Sequence, residues 1–274
     1  MGTPRGRLFV LVAATLLACS SSYVTQDGGA GAGTVDAGVD GEPGGTGDSG
    51  DDGDTCVPVT VKPVPPHGGP ACPTDASACF PGDVTGFSPT WIPPVSGAPH
   101  ANVCTAQQIS DALADCFGST ESSAACGGWR NAASANQPCY ECLSTDASAP
   151  RYGALLNSGA YSQVNFAGCI ALAEPCNQPC ASAILAVYEC NLDACNPSSG
   201  PCTVTDQASL TREDACLSAA DATCGCAGFD TATQCFAELQ QEPAKHPAVE
   251  LCDVGTSSFD AGYTAVATFM CGPP

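Results

Sequence analysis

From Cys104 onward, apolar residues recur at helical rather than strand spacing. Ile109, Leu113, Cys116 and Phe117 fall on one face of a helix that Thr105 can cap. The same period predicts helices over 122–135, 138–143, 164–173, 179–188, 211–222, 230–241 and 257–270. Thr211 with Asp214 resembles a capping box in which aspartate replaces Glu or Gln, and Asp230 is placed to cap the helix carrying Cys235 and Phe236. Upstream, residues 56–103 hold 11 prolines in 48 positions, including Pro65-Pro66 and Pro93-Pro94, and long helices cannot run through such spacing. Val57, Val59 and Val61 alternate and predict a short edge strand within 57–64, weakened by Pro58 and Pro63. The expected fold is mainly α: a small disulfide-rich helical body, 104–274, with a proline-rich extended N-terminal collar, 56–103. Phe87 and Trp91 are expected to pack the collar onto the body. No fixed-period repeat runs through the chain, which argues against a solenoid.

The N-terminus follows a different pattern. Arg5 and Arg7 precede an apolar run of 11 residues, Leu8 to Ala18, too short to span a bilayer but laid out as a secretory signal peptide. Its end, Leu16-Leu17-Ala18-Cys19, resembles the lipobox of bacterial lipoproteins. That resemblance implies a signal peptide at 1–18 and a mature N-terminus at Cys19 that carries acyl chains and reaches the membrane through them. Ser20 at the next position, rather than aspartate, points by analogy to the outer membrane. Residues 19–55 form the next segment. From Ser20 to Thr55 there are 11 glycines, eight acids and no lysine or arginine, the composition of a disordered spacer. Its DSGDDGD stretch, Asp48–Asp54, lacks the register and closing glutamate of a calcium loop. Gly47-Asp48-Ser49-Gly50 matches a serine-protease motif by residue bias alone, without a rigid base beside the serine.

Composition then sets how the body can hold together. The chain of 274 residues has 28 acidic and 7 basic residues, a net charge of -21, which disfavours nucleic acid and anionic lipid headgroups as partners. In residues 56–274 Leu, Ile, Val and Phe total 36 of 219, and 20 acidic residues face five basic ones, proportions that would leave most chains unfolded. The same stretch carries 20 of the 21 cysteines, so cross-links must supply what the core lacks. Removing Cys19 leaves an even number, as a fully oxidised framework requires. Spacing does not fix the pairing, although Cys180 and Cys190, ten apart on one predicted helix, are expected to reach different neighbours.

Candidate chemistry is sparse. Cys139 and Cys142 in Pro138-Cys139-Tyr140-Glu141-Cys142 form a C-x-x-C pair at a helix N-terminus, the arrangement of a reactive dithiol, although structural pairing is the better reading in so cysteine-rich a chain. Cys224-Gly225-Cys226 could ligate a metal but has no partner motif, and no metal or other cofactor is expected. His67, His100 and His246 sit beside prolines in loop-like contexts and read as exposed. Asp111 with Asp115, and Glu238 with Glu242, share helix faces without forming a defined acid pair. No catalytic residue is assigned.

NVCTAQQI, Trp91-Ile92-Pro93-Pro94, CYECLSTD, NFAGCIALAEP and Phe269-Met270-Cys271-Gly272-Pro273, together with the lipobox and acidic tether, resemble the cysteine-rich lipoproteins of myxobacteria. The resemblance covers roughly residues 80–274 and implies an envelope location and a helical disulfide architecture, but carries over no catalytic residue. The expected protein is a lipid-anchored, disulfide-stabilised outer-membrane lipoprotein of the cell envelope, facing periplasm or cell surface. It is read as a non-catalytic module for structure or for binding an extracellular protein or polysaccharide. The alternatives are an extracellular hydrolase built on scattered carboxylates and an envelope thiol oxidoreductase using Cys139 and Cys142.

Overall fold

The computed structural model describes residues 6–7, 56–72, 79–117, 123–158, 161–195, 202, 207–222, 224–254 and 258–274. Apart from Gly6–Arg7, the signal peptide, Cys19 and the tether lie outside the described residues, as do the Asp48–Asp54 cluster and the Gly47–Gly50 motif.

The body is mainly helical. Thr105 accepts from the backbone N–H of Gln108 while the Gln108 side chain returns to the Thr105 N–H, a full capping box that starts α1, Ala106–Ala112. A π-helical turn, Leu113–Phe117, continues it. The chain then forms α2, Ser123–Ala132, and α3, Asn136–Leu143. Helices α4, Phe166–Ala173, and α5, Gln178–Ala194, are joined by a 3-10 turn at Pro175–Asn177. Helix α6 spans Gln207–Ala222, starting four residues before Thr211, which is therefore not its cap. The helix expected over 230–241 is two, α7, Ala227–Ala232, and α8, Gln234–Gln241, so Asp230 lies inside α7 instead of capping. Helix α9, Pro247–Leu251, precedes α10, Phe259–Cys271, which Ser258 caps through the N–H of Ala261.

The expected helical segment 164–173 begins instead as a strand. Leu155–Ser158 (β3) and Tyr161–Val164 (β4) pair antiparallel, Ser144–Asp146 (β2) pairs in parallel with β3, and Gly6–Arg7 (β1) pairs in parallel with Tyr161 and Ser162 at the other edge. Cleavage before Cys19 would remove β1. Asn165 ends the sheet and caps α4 by accepting from Gly168 N at 2.8 Å, so one residue turns strand into helix.

The collar is extended, as expected, but 57–64 forms no strand. Val59, Val61 and Val64 pack on the core while Val57 stays exposed. Phe87 meets Phe229 edge-on at 5.5 Å, and Trp91 is likewise part of the packing. The collar exchanges backbone bonds with the turn after α6, Gly69 N to Gly225 O at 2.6 Å and Gly225 N to Pro70 O at 3.2 Å. Gly225 sits there at φ +59°, a conformation that favours glycine.

All 20 cysteines from Cys56 to Cys271 are paired in ten disulfides. Their pattern divides the body. Three bonds, Cys104–Cys139, Cys116–Cys126 and Cys142–Cys271, stay within a first lobe of 104–164 and 258–274. Four, Cys169–Cys252, Cys180–Cys235, Cys190–Cys226 and Cys195–Cys216, stay within a second lobe of 166–254. The remaining three tie the collar to the second lobe: Cys56–Cys176, Cys72–Cys224 and Cys79–Cys202. None joins the two lobes. A framework of this density marks a protein of the envelope or the extracellular space.

Candidate functional site

The candidate dithiol is structurally paired instead. Cys139 is bonded to Cys104 and Cys142 to Cys271, and all four sulfurs belong to buried residues, so the C-x-x-C spacing serves two separate cross-links. Cys224 and Cys226 are likewise committed, to Cys72 and Cys190. The sulfurs of Cys79, Cys202 and Cys216 lie within 4.8 Å of one another, but they belong to the Cys79–Cys202 and Cys195–Cys216 disulfides, and metals bind thiolates rather than disulfide sulfurs.

His246 corrects the expectation of exposed loop histidines, because it is 2% exposed. Its Nδ1 lies 2.9 Å from Glu174 Oε2, whose other oxygen accepts from Ala248 N at 2.9 Å. Asn177 donates through Nδ2 to Glu174 Oε2 at 2.5 Å and to Val57 O at 3.0 Å, and accepts from Val59 N at 2.8 Å. Collar, the α4–α5 junction and the start of α9 are thus locked by one buried carboxyl and one amide. The full use of the Asn177 amide and of both Glu174 oxygens identifies this as a structural clamp.

A second polar cluster lies between the lobes and on α6. Tyr152 of the first lobe places its hydroxyl 2.7 Å from Ala147 O and 2.8 Å from Glu189 Oε1 of α5. A phenol has one proton, so both contacts are hydrogen bonds only when Glu189 supplies another. Burial raises the Glu189 carboxyl, against the lowering effect of Tyr152, and burial with Glu189 nearby raises Tyr152. Asn191 donates to Asp221 at 2.6 Å. Burial nonetheless pushes Asp221 from its ordinary 3.8 up to about 7, with Asp230 adding to the rise. Burial, then the charge of Asp221, raises Tyr188, and Gln163 of β4 opposes this. The atom Asn191 Oδ1 is buried without a protein partner.

A concave feature of the described residues lies elsewhere. An open groove of about 810 Å³ runs between α9 and α10, with His100 and Phe269 at its base. Beside them, four collar N–H groups and that of Cys104 meet the carbonyls at the end of α10. His100 N donates to Phe269 O at 2.6 Å, Ala101 N to Met270 O at 3.1 Å, Asn102 N to Gly272 O at 3.0 Å, and Val103 N and Cys104 N to Cys271 O at 3.0 and 2.9 Å. His100 and Asn102 adopt φ of 51° and 54° to do so, a left-handed geometry that non-glycine residues seldom take. The His100 ring stands edge-on to Phe269 at 5.1 Å.

Glu250 and Leu251 form one wall, and the exposed side of α10 from Ser258 to Thr268 the other. Both acids of the groove, Glu250 and Asp260, are exposed, unlike the desolvated acid pair that glycoside hydrolysis requires. Asp111 and Asp115, and Glu238 and Glu242, lie outside it. The groove has no local signature in the sequence, because its parts come from three separate segments. No family model matches the chain, and comparisons with curated proteins and with solved structures give no match.

Proposed function

We propose that the chain is an outer-membrane lipoprotein whose cross-linked body acts as a non-catalytic binding or structural module, held off the bilayer by the acidic tether. Its likeness to the cysteine-rich lipoproteins of myxobacteria belongs to the same reading. The observation that carries it is the complete pairing of the 20 cysteines of collar and body, which leaves Cys19, at the end of a lipobox-like run, as the cysteine outside the framework. More than one acyl chain on that residue makes attachment stable, at about 0.8 kcal/mol per buried CH₂. Mass spectrometry of the N-terminal peptide of the chain purified from membranes tests this. The expected peptide starts at Cys19 with an acyl mass, and Cys19→Ser moves the protein to the soluble fraction. An uncut or unacylated N-terminus, or a Cys19→Ser protein that stays with the membrane, contradicts the reading.

The oxidoreductase alternative loses its dithiol to the Cys104 and Cys271 bonds. An extracellular hydrolase keeps one observation in its favour, the raised Asp221 carboxyl beside Asp230. A hydrolytic turnover of the purified protein that Asp221→Asn abolishes would carry that second reading.

A further inference from the structure

We infer that the groove between α9 and α10 docks a cationic amphipathic helix of a partner protein, an inference that rests on the binding-module reading and gives it a site. Three observations lead there.

The first is shape. Ala261, Thr264, Ala265 and Thr268 recur at i, i+3, i+4 and i+7 along α10, and these short side chains let another helix approach closely along that face. Leu251, 40% exposed at the opposite lip, offers an apolar contact above the Phe269 base.

The second is charge. Glu250 stands on one wall and Asp260 on the other, and no lysine or arginine lines the groove. Residues 56–274 carry 20 acids against five basic residues, so the field around the groove draws in cations. The same field repels a second copy of the body and the chain's own acidic tether. An apolar trough with acidic lips fits a helix that carries Lys or Arg on either side of an apolar stripe.

The third is position. The wall from α9 is followed by Cys252, bonded to Cys169 of the second lobe, and the wall from α10 ends at Cys271, bonded to Cys142 of the first. The groove therefore lies where two separately cross-linked regions meet, the kind of place where binding clefts tend to form.

The test uses the full chain carrying Cys19→Ser, so that peptide and lipid are kept apart, and fluorescence anisotropy at physiological salt. Three labelled peptides of about 14 residues are compared: a Leu/Lys helix with leucines on one face, its scrambled isomer, and a Leu/Glu helix. The Leu/Lys helix is expected to bind at least about tenfold more tightly than the other two. Two substitutions in the groove, E250K with T264K, should weaken it by about tenfold or more, whereas E141K with D193N, which adds the same charge at exposed sites outside the groove, should change it by less than about threefold. T264W, which fills the trough without changing charge, should also weaken binding. Retained near-UV circular dichroism and absence of free thiols confirm that each variant folds. The inference is overturned by equal losses in the two charge variants, by equal binding of the scrambled peptide, or by no binding of any peptide. It is also overturned if sedimentation shows self-association that T264W removes, or if a neutral oligosaccharide binds in a T264W-sensitive way. None of these results alters the acylation of Cys19, so the failure of the groove and the failure of the lipoprotein reading are read separately.

Discussion

The two lobes hold themselves together by different means. The first has three disulfides and an aromatic interior: Phe117 stacks on Tyr140 at 5.8 Å and meets Tyr263 at 5.5 Å, and the fully buried Tyr263 donates to Ile109 O at 3.2 Å. The second has four internal disulfides and three more to the collar, and it buries polar groups that need partners, Glu174, Asn177 and His246 foremost. The difference lies in the collar bonds and the buried clamp, which the second lobe has and the first lacks. No disulfide joins the lobes, so apart from the peptide chain the seam is held by non-covalent contacts.

That contrast can be broken from either side. The largest effect is expected for Glu174→Ala, which strips the acceptor from three buried groups and should cost on the order of 3–5 kcal/mol in chemical denaturation. Loss of exchange protection should concentrate in the second lobe and the collar near Val57, leaving α1 and α10 protected. Next comes the double variant Cys142→Ser with Cys271→Ser. It opens a bond whose partners are 129 residues apart, with the second lobe between them, and should cost roughly 2–4 kcal/mol. Here the order reverses: α10 loses protection and the second lobe keeps it.

Another effect concerns pH. Asp221 holds its proton more tightly folded than unfolded, since its pKa rises from 3.8 to about 7. Stability must therefore fall as pH climbs through that window and level off beyond it, by up to about 1.4 kcal/mol per pH unit from this group. Thermal unfolding of Asp221→Asn between pH 4 and pH 8 should show this slope reduced. The smallest change is expected for Tyr152→Phe, which removes a hydrogen bond across the seam and should cost about 1 kcal/mol. Its signature is faster exchange in β3 and α5 together, with both disulfide networks intact.

Helix positions were largely legible because their signals are local. Thr105 caps as its sequence context suggests, and the face carrying Ile109, Cys116 and Phe117 is buried. Helix α5 runs six residues past the expected end at 188, since Asn191, Cys190 and Cys195 look polar or neutral in sequence yet are buried by partners on α6 and α7. The strands were not legible: LLNS and YSQV are four-residue segments whose alternation is too short to register, and their pairing decides their state. His246 looked like a loop histidine because its partner, Glu174, lies 72 residues away. The lobes were hidden for a similar reason: cysteine count announces a framework, but which sulfur meets which depends on the fold.

Disulfide mapping of the intact protein, by proteolysis without reductant after blocking any free thiol, tests the central claim most directly. The account predicts ten bonds, three within the first lobe, four within the second and three from collar to second lobe, with Cys139 and Cys142 found on separate peptides bound to Cys104 and Cys271. A bond linking the lobes, or a Cys139–Cys142 pair, would contradict it.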